Sequence, residues 1–128
     1  MDTKMKRSSN KITADMVTRS FDIGKKITNK EMSLGDGVQA LVSMGMNKNS
    51  ATDYIYFYKK LLSGEKFIRQ TNMFATNYFL DRILLENGKG GLRTALNSLS
   101  AHLDYYEEKA KVSVKQKRDI VEKFSKKL

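Results

Sequence analysis

The chain has 128 residues, no cysteine and a formal net charge of +10 at pH 7. The absence of cysteine excludes a disulfide framework, a thiolate nucleophile and a cysteine-based zinc site, and it favours a reducing, cytoplasmic compartment. No apolar run approaches the roughly 18 residues that a membrane span needs, and the first residues lack the apolar core of a secretory signal, so we predict no membrane association.

The positive charge is concentrated at the two ends of the chain. Residues 1–11 contain four basic residues and one acidic residue, and residues 109–128 contain eight basic and two acidic residues. Such ends are typical either of solvated helix faces and tails or of segments that contact phosphates. We predict a disordered basic N-terminal arm over residues 1–11, and a single all-helical domain over 12–128 that ends in a basic helix.

The apolar residues recur at spacings of three and four, and proline is absent. This pattern predicts an all-α chain, folded as a compact bundle of five to six helices. Six segments show it, at residues 13–27, 34–44, 49–64, 72–86, 91–109 and 113–127. Thr13, Ser33 and Ser50 are predicted N-caps, and Gly64 is a predicted C-terminal stop. The segment 72–86 is apolar around much of its circumference, so we expect it at the centre of the core.

Residues 36–60, DGVQALVSMGMNKNSATDYIYFYKK, have the order of a helix-turn-helix pair. Small and apolar residues precede Gly45, Met46 follows it, and polar residues open the next helix, as in proteins that read DNA with the second helix. We call the polar residues that open the second helix the tip, and they are Asn47, Lys48, Asn49, Ser50 and Thr52. The amides of the tip match adenine edges, and its lysine matches guanine or phosphate. The alternative is an ordinary polar turn with a helix cap between two core helices.

Four aromatic residues follow in the next turns of the same helix. Helical spacing assigns Tyr54 and Tyr58 to the buried face, and it leaves Tyr56 on the opposite face with Lys59 and Lys60. A large ring beside an ammonium group is typical of a binding surface, although a single exposed tyrosine also occurs without a partner. We therefore include these three outward residues in the predicted contact surface.

Basic residues also stand near the start of the segment 72–86. Lys66 and Arg69 precede its positive N-terminal end, which favours a bound phosphate or another anion. The alternative is that Arg69 only forms an ion pair with Glu65 or Asp81. The basic C-terminal helix supplies further candidate phosphate anchors, which are Lys115, Lys117 and Arg118.

Signals of catalysis are weak. His102 is the only histidine, and it lies at the edge of an apolar stripe without a metal-ligand partner at suitable spacing, so a structural role is favoured over a catalytic one. The acidic residues 104, 107 and 108 are better explained as charge balance beside a lysine-rich tail. The sequence NGKGG at 87–91 lacks the spacing of a phosphate-binding loop and indicates a flexible interhelix turn. We predict no catalytic residue, no metal site and no cofactor.

The order of short phrases along residues 12–125, among them GMNKNSA, ATNYFL and HLDYYE, resembles a known type of helical domain. It is similar to the non-catalytic, amino-terminal domain associated with bacterial HNH-family endonucleases of the restriction type. In such proteins the nuclease is a separate unit with its own histidines and metal. The resemblance implies an accessory domain for DNA recognition or assembly, and no catalytic residue carries over.

Together these observations predict a non-catalytic domain that binds double-stranded DNA, accessory to a nuclease or to a restriction or defence system. A homodimer or a nuclease partner is compatible with this function. The alternative is a protein-interaction or dimerisation module, with Tyr56, Phe57 and the helix over 91–109 as its contact face and the basic tail serving solubility.

Overall fold

A computed structural model describes residues 11–110 and 114–128 of the chain. These residues form five helices and no strand, so the prediction of an all-α chain is confirmed. The helices are α1 (Ala14–Thr28), α2 (Leu34–Ser43), α3 (Lys48–Ser63), α4 (Met73–Ala110) and α5 (Lys115–Ser125). Almost all of the predicted N-terminal arm lies outside the described residues. None of these helices combines the length and the apolar character that a membrane span requires.

The chain divides into two compact units, one extending to Tyr58 and one comprising Lys59–Leu128. The first unit contains α1, α2 and most of α3. Thr13 caps α1 as predicted, because its hydroxyl accepts a hydrogen bond from the backbone N–H of Met16 at 3.2 Å. Ser33 caps α2 in the same way. Local cap chemistry therefore sets both helix starts.

Close approach of backbones holds the three helices of the first unit together. At Gly24 of α1 an added Cβ atom would lie 2.8 Å from the Cβ atom of Tyr58, and at Gly37 of α2 it would lie 2.7 Å from Ile23 and Ile27. The ring of Phe21 meets that of Tyr58 edge to face, with the centroids 4.9 Å apart. The core of this unit therefore forms where small residues let the helices touch. It includes Met16, Val17, Phe21, Ile23, Leu41, Met46, Ala51, Tyr54, Ile55, Phe57 and Tyr58.

The second unit is built around α4, which is interrupted at Gly88 (φ 73°, ψ −171°). The two helical parts of α4 correspond to the predicted helices over 72–86 and 91–109, and the interruption lies in the predicted turn at 87–91. The first part contributes Ala75, Phe79, Leu80 and Ile83 to the core. Two of its apolar residues lie outside the core, since Phe74 is 47% exposed and Leu85 is 73% exposed.

Residues 65–72, the connecting segment, join α3 to α4 without regular structure. Two side chains of α4 hold it from one side: the hydroxyl of Ser98 donates to the carbonyl of Glu65 at 2.5 Å, and Nδ1 of His102 lies 2.7 Å from the carbonyl of Phe67. From α5, Nζ of Lys117 donates to the carbonyl of Thr71 at 2.7 Å. Side chains thus satisfy the backbone groups that an irregular segment leaves unpaired.

Candidate nucleic-acid interface

The turn between α2 and α3 consists of residues 44–47 and is built on Gly45. This residue has φ 101°, a backbone conformation that glycine adopts without strain. Met46, the next residue, is only 3% exposed, and its backbone N–H donates to the carbonyl of Leu41 at 3.2 Å. The turn is thereby anchored to α2 by one buried side chain and one hydrogen bond, and α3 begins immediately after it.

Asn47 is the N-cap of α3, so the prediction that Ser50 caps this helix is wrong. Oδ1 of Asn47 accepts hydrogen bonds from the backbone N–H groups of Asn49 and Ser50, at 2.8 and 3.3 Å. A bidentate contact with adenine needs this same oxygen as an acceptor. Asn47 therefore fixes the start of α3 and is not free to read a base, while Ser50 is half-buried.

The outward face of α3 in the first unit consists of Lys48, Asn49, Thr52 and Tyr56. Lys48 and Asn49 are exposed, and Tyr56 is 40% exposed. The hydroxyl of Thr52 donates to the carbonyl of Lys48 at 3.1 Å, which leaves its oxygen able to accept a hydrogen bond. Lys48 forms no ion pair with a carboxylate in the described part of the chain. The predicted tip therefore presents an ammonium group, a carboxamide and a hydroxyl on one face of α3.

An apolar groove of about 470 Å³ lies beside this face. Its α3 side is formed by Lys48 and Thr52, and its α2 side is mainly apolar. The lining residues are Leu34, Gly35, Val38, Gln39, Val42, Lys48 and Thr52. The ammonium group of Lys48 thus stands at the boundary between the polar face of α3 and an apolar surface.

The predicted basic residues at the end of α3 and in the connecting segment belong to the second unit and are only partly available. Lys59 is exposed, but Nζ of Lys60 lies 2.9 Å from a carboxylate oxygen of Glu65, and the ammonium of Lys66 lies 4.7 Å from the centroid of the Tyr105 ring. The hydrogen bond from Lys60 lowers the pKa of Glu65. Arg69 is exposed and, within residues 11–110 and 114–128, pairs with neither of its predicted carboxylate partners.

The C-terminal helix does not present its predicted anchors as a free basic face. Lys115 pairs with Asp119 at 3.0 Å, and Nη2 of Arg118 donates to Asp104 at 2.6 Å and to Glu107 at 2.8 Å. These carboxylates raise the pKa of Arg118 and offset its charge.

The prediction that Lys117 anchors phosphate at the surface is wrong. The residue is only 7% exposed, because its side chain turns inward to the connecting segment. Lys117 lies on the same side of α5 as Val114, Ile120 and Phe124, which together with it recur at spacings of three and four and are also buried.

His102 is fully buried, and it contacts the side chain and the backbone of Phe67. Its ring stacks on that of Phe67 with centroids 4.0 Å apart, and its Nε2 atom has no hydrogen-bond partner among the described residues. Among the described residues no group of three histidine, aspartate or glutamate side chains is arranged to hold a metal ion.

The alternative contact face also differs from expectation. Phe57 is 2% exposed, and the leucines over 91–109 are buried, so neither contributes an accessible apolar surface. Of the two aromatic residues of α3 in that face, Tyr56 is exposed. Comparison with protein-family models, with curated proteins and with solved structures gave no match for the chain.

Proposed function

We propose that this chain is a non-catalytic module that binds double-stranded DNA, with α2 and α3 acting as a helix-turn-helix pair. The observation that carries the proposal is the exposed first turn of α3, directly after a four-residue glycine turn. Helix-turn-helix pairs use turns of three or four residues, and their second helix contacts bases with its N-terminal residues. The net charge of +10 supports a polyanionic partner.

Each residue of the tip has a separate role in this proposal. Asn49, whose side chain has no partner among the described residues, reads an adenine edge through its amide. Lys48 contacts guanine or a phosphate, and Thr52 accepts from a base or donates to the backbone. Asn47 keeps the first turn of α3 in place. Tyr56, one turn further along, contacts the phosphate backbone at the edge of the groove.

Exposed cations outside the tip add sequence-independent attraction. Arg69 is the accessible candidate, and Lys59 also stands at an exposed position. Lys60 and Arg118 are paired with carboxylates. Phosphate contacts release condensed counterions, so affinity should fall steeply as salt rises. On the strength of the resemblance to the amino-terminal domain of HNH-family restriction-type endonucleases, we further propose that the module serves a nuclease on another unit or chain, in the cytoplasm.

The decisive experiment measures the binding of a fluorescent duplex by anisotropy, for the unaltered protein and for Lys48→Glu. We expect affinity to fall strongly between about 50 and 200 mM salt, and Lys48→Glu to weaken binding by about tenfold or more. The matched control is Lys26→Glu, which makes the same charge change at an exposed position of α1 in the same unit. An equal loss for both variants, or binding that does not respond to salt, would overturn the proposal.

A second candidate function, a protein-interaction module, is favoured by the apolar groove beside α3. Leu34, which lines this groove, is 37% exposed, which is a high exposure for a large apolar side chain. Light scattering over a concentration series tests dimerisation. A dimer whose DNA binding does not respond to Lys48→Glu would favour this second function over the first.

A further inference from the structure

The second unit contains a cavity of about 550 Å³ between the connecting segment and the first turn of α5. This volume lies within the range of small-molecule sites, which is about 300–1,000 Å³. Six of its eight lining residues carry polar side chains, and three of these six are amides. The lining consists of Gln70, Thr71, Asn72, Met73, Val114, Lys115, Gln116 and Lys117.

The wall of this cavity holds a buried lysine without a counter-ion. Nζ of Lys117 donates to the carbonyl of Thr71 at 2.7 Å and to Oε1 of Gln70 at 3.2 Å. Both acceptors are neutral, and no carboxylate pairs with Lys117 in the part of the chain that the structure describes. An ammonium group has three N–H donors. Two of these donors are used, so one remains for a ligand in the cavity that Lys117 lines.

A buried charge without an opposite charge is energetically unfavourable. Lysine is almost never buried unless it is paired, and desolvation here lowers the pKa of Lys117 below its ordinary value of 10.5. The carboxylates that contact this turn among the described residues are paired with other cations: Asp119 with Lys115 at 3.0 Å, and Asp104 and Glu107 with Arg118. The described residues therefore supply hydrogen bonds to Lys117 but not the anion that a buried lysine usually has.

Other groups at the cavity also favour an anion. Lys115 lines it and is 77% exposed in its side chain, so its ammonium group can move toward a ligand. The N-cap of α5, Val114, makes no side-chain hydrogen bond, and the first backbone N–H groups of this helix have no intrahelical partner. These donors add further contacts to an anion that Lys117 binds.

We infer that this cavity binds a small phosphorylated ligand of about mononucleotide size, whose phosphate group supplies the counter-charge of Lys117. Lys117 donates its third N–H to a phosphate oxygen, and Lys115 approaches the same group from the rim. Gln70 and Gln116 offer amide donors and acceptors to the remainder of the ligand. The site lies within the second unit and does not depend on DNA binding by the tip of α3.

Calorimetric titration of the full chain with AMP, inorganic phosphate, adenosine and acetate tests this inference. We expect AMP and phosphate to bind, AMP more tightly, and adenosine and acetate to bind weakly or not at all. Binding of AMP should remain unchanged in Lys48→Glu, which separates this site from the proposed DNA surface. No binding of AMP or phosphate, or equal binding of adenosine and AMP, would overturn the inference.

Lys117→Met removes the charge and keeps an unbranched side chain of similar length. We expect it to weaken AMP binding by about tenfold or more, whereas Lys126→Met, at an exposed position just beyond α5, leaves it unchanged.

If Lys117→Met does not fold, the pH dependence of the unaltered protein decides the matter. Affinity for AMP should fall as the pH rises through the lowered pKa of Lys117, with proton uptake on binding in that range. Binding that is independent of pH there, or a Lys117→Met variant that binds as tightly as the unaltered protein, would refute the role of Lys117.

Discussion

The imidazole of His102 lies parallel to the ring of Phe67, with an angle of 8° between the planes, while its Nδ1 atom lies 2.7 Å from the Phe67 carbonyl. One residue thus binds both the side chain and the backbone of the same neighbour. The carbonyl requires a donor, so Nδ1 carries the proton of a neutral imidazole. Nε2 is buried and has no partner in the part of the chain that the structure describes, so protonation would place a charge there with no acceptor from these residues.

This geometry predicts that the protein loses stability in mild acid. Burial and the nearby charge of Lys117 lower the pKa of His102 below 6.5, although the hydrogen bond to Phe67 acts in the opposite direction. The imidazole of the unfolded chain takes up a proton more readily than that of the folded chain. The contribution of neutral His102 to the free energy of unfolding is therefore fully present above about pH 6.5, and it is lost as the pH falls below that value. Urea midpoints measured from about pH 7.5 to about pH 5 should decrease.

The control for this prediction is His102→Asn, whose amide nitrogen can still donate to the Phe67 carbonyl but does not titrate. The variant should be less stable at every pH, because it loses the ring stacking, yet its urea midpoint should change less across this range. His102 is the only histidine. If the pH profile of the variant has the same slope as that of the unaltered protein, the neutral, buried His102 is not the cause.

Two glycines of α2 should respond to alanine in opposite directions. At Gly37 a Cβ atom would lie 2.7 Å from Ile23 and Ile27, so Gly37→Ala forces α1 and α2 apart, at a cost of about 1–3 kcal/mol. At Gly35 nothing lies within 4 Å, so Gly35→Ala gains helix propensity, up to about 1 kcal/mol. Chemical denaturation measures both. Equal effects would contradict the close contact of α1 with α2.

The interruption of α4 gives a second matched pair. Gly88 has φ 73° and ψ −171°, a conformation that is nearly exclusive to glycine, so Gly88→Ala should cost about 1–3 kcal/mol. Gly90 is helical, and a Cβ atom there meets open space, so Gly90→Ala should be neutral or stabilising. If Gly88→Ala is no less stable than Gly90→Ala, α4 continues through this position in solution.

The sequence predicts those parts of the fold that depend on neighbours along the chain. Thr13 and Ser33 were identifiable as caps because each bonds a backbone N–H three residues later. At α3, the run from Asn47 to Ser50 offers several residues that can cap a helix, and apolar periodicity cannot choose among them. The choice follows from the turn at Gly45, which fixes where α3 can begin.

Lys117 illustrates why the rest of the candidate surface could not be predicted. Its acceptors, on Gln70 and Thr71, are more than forty residues away in the sequence. By composition alone, a lysine in a basic helix indicates a solvated face. Lys117 is buried instead because α5 packs against the connecting segment. The cavity itself has no sequence signature, since its walls come from two separate segments.

The last prediction separates stability from DNA binding at two asparagines of one turn. Oδ1 of Asn47 accepts two backbone hydrogen bonds, so Asn47→Ala removes the cap of α3 and should cost about 1 kcal/mol of stability. Asn49 is exposed, and only its backbone N–H takes part in the hydrogen bond to Asn47. Asn49→Ala should therefore leave stability nearly unchanged.

In the proposed DNA complex, however, Asn49→Ala should lose about 1–3 kcal/mol of discrimination at one base pair. Denaturation and binding to duplexes that differ at single positions measure the two effects. If Asn49→Ala binds all duplexes as the unaltered protein does, Asn49 does not read a base, and the tip of α3 is only a capped turn.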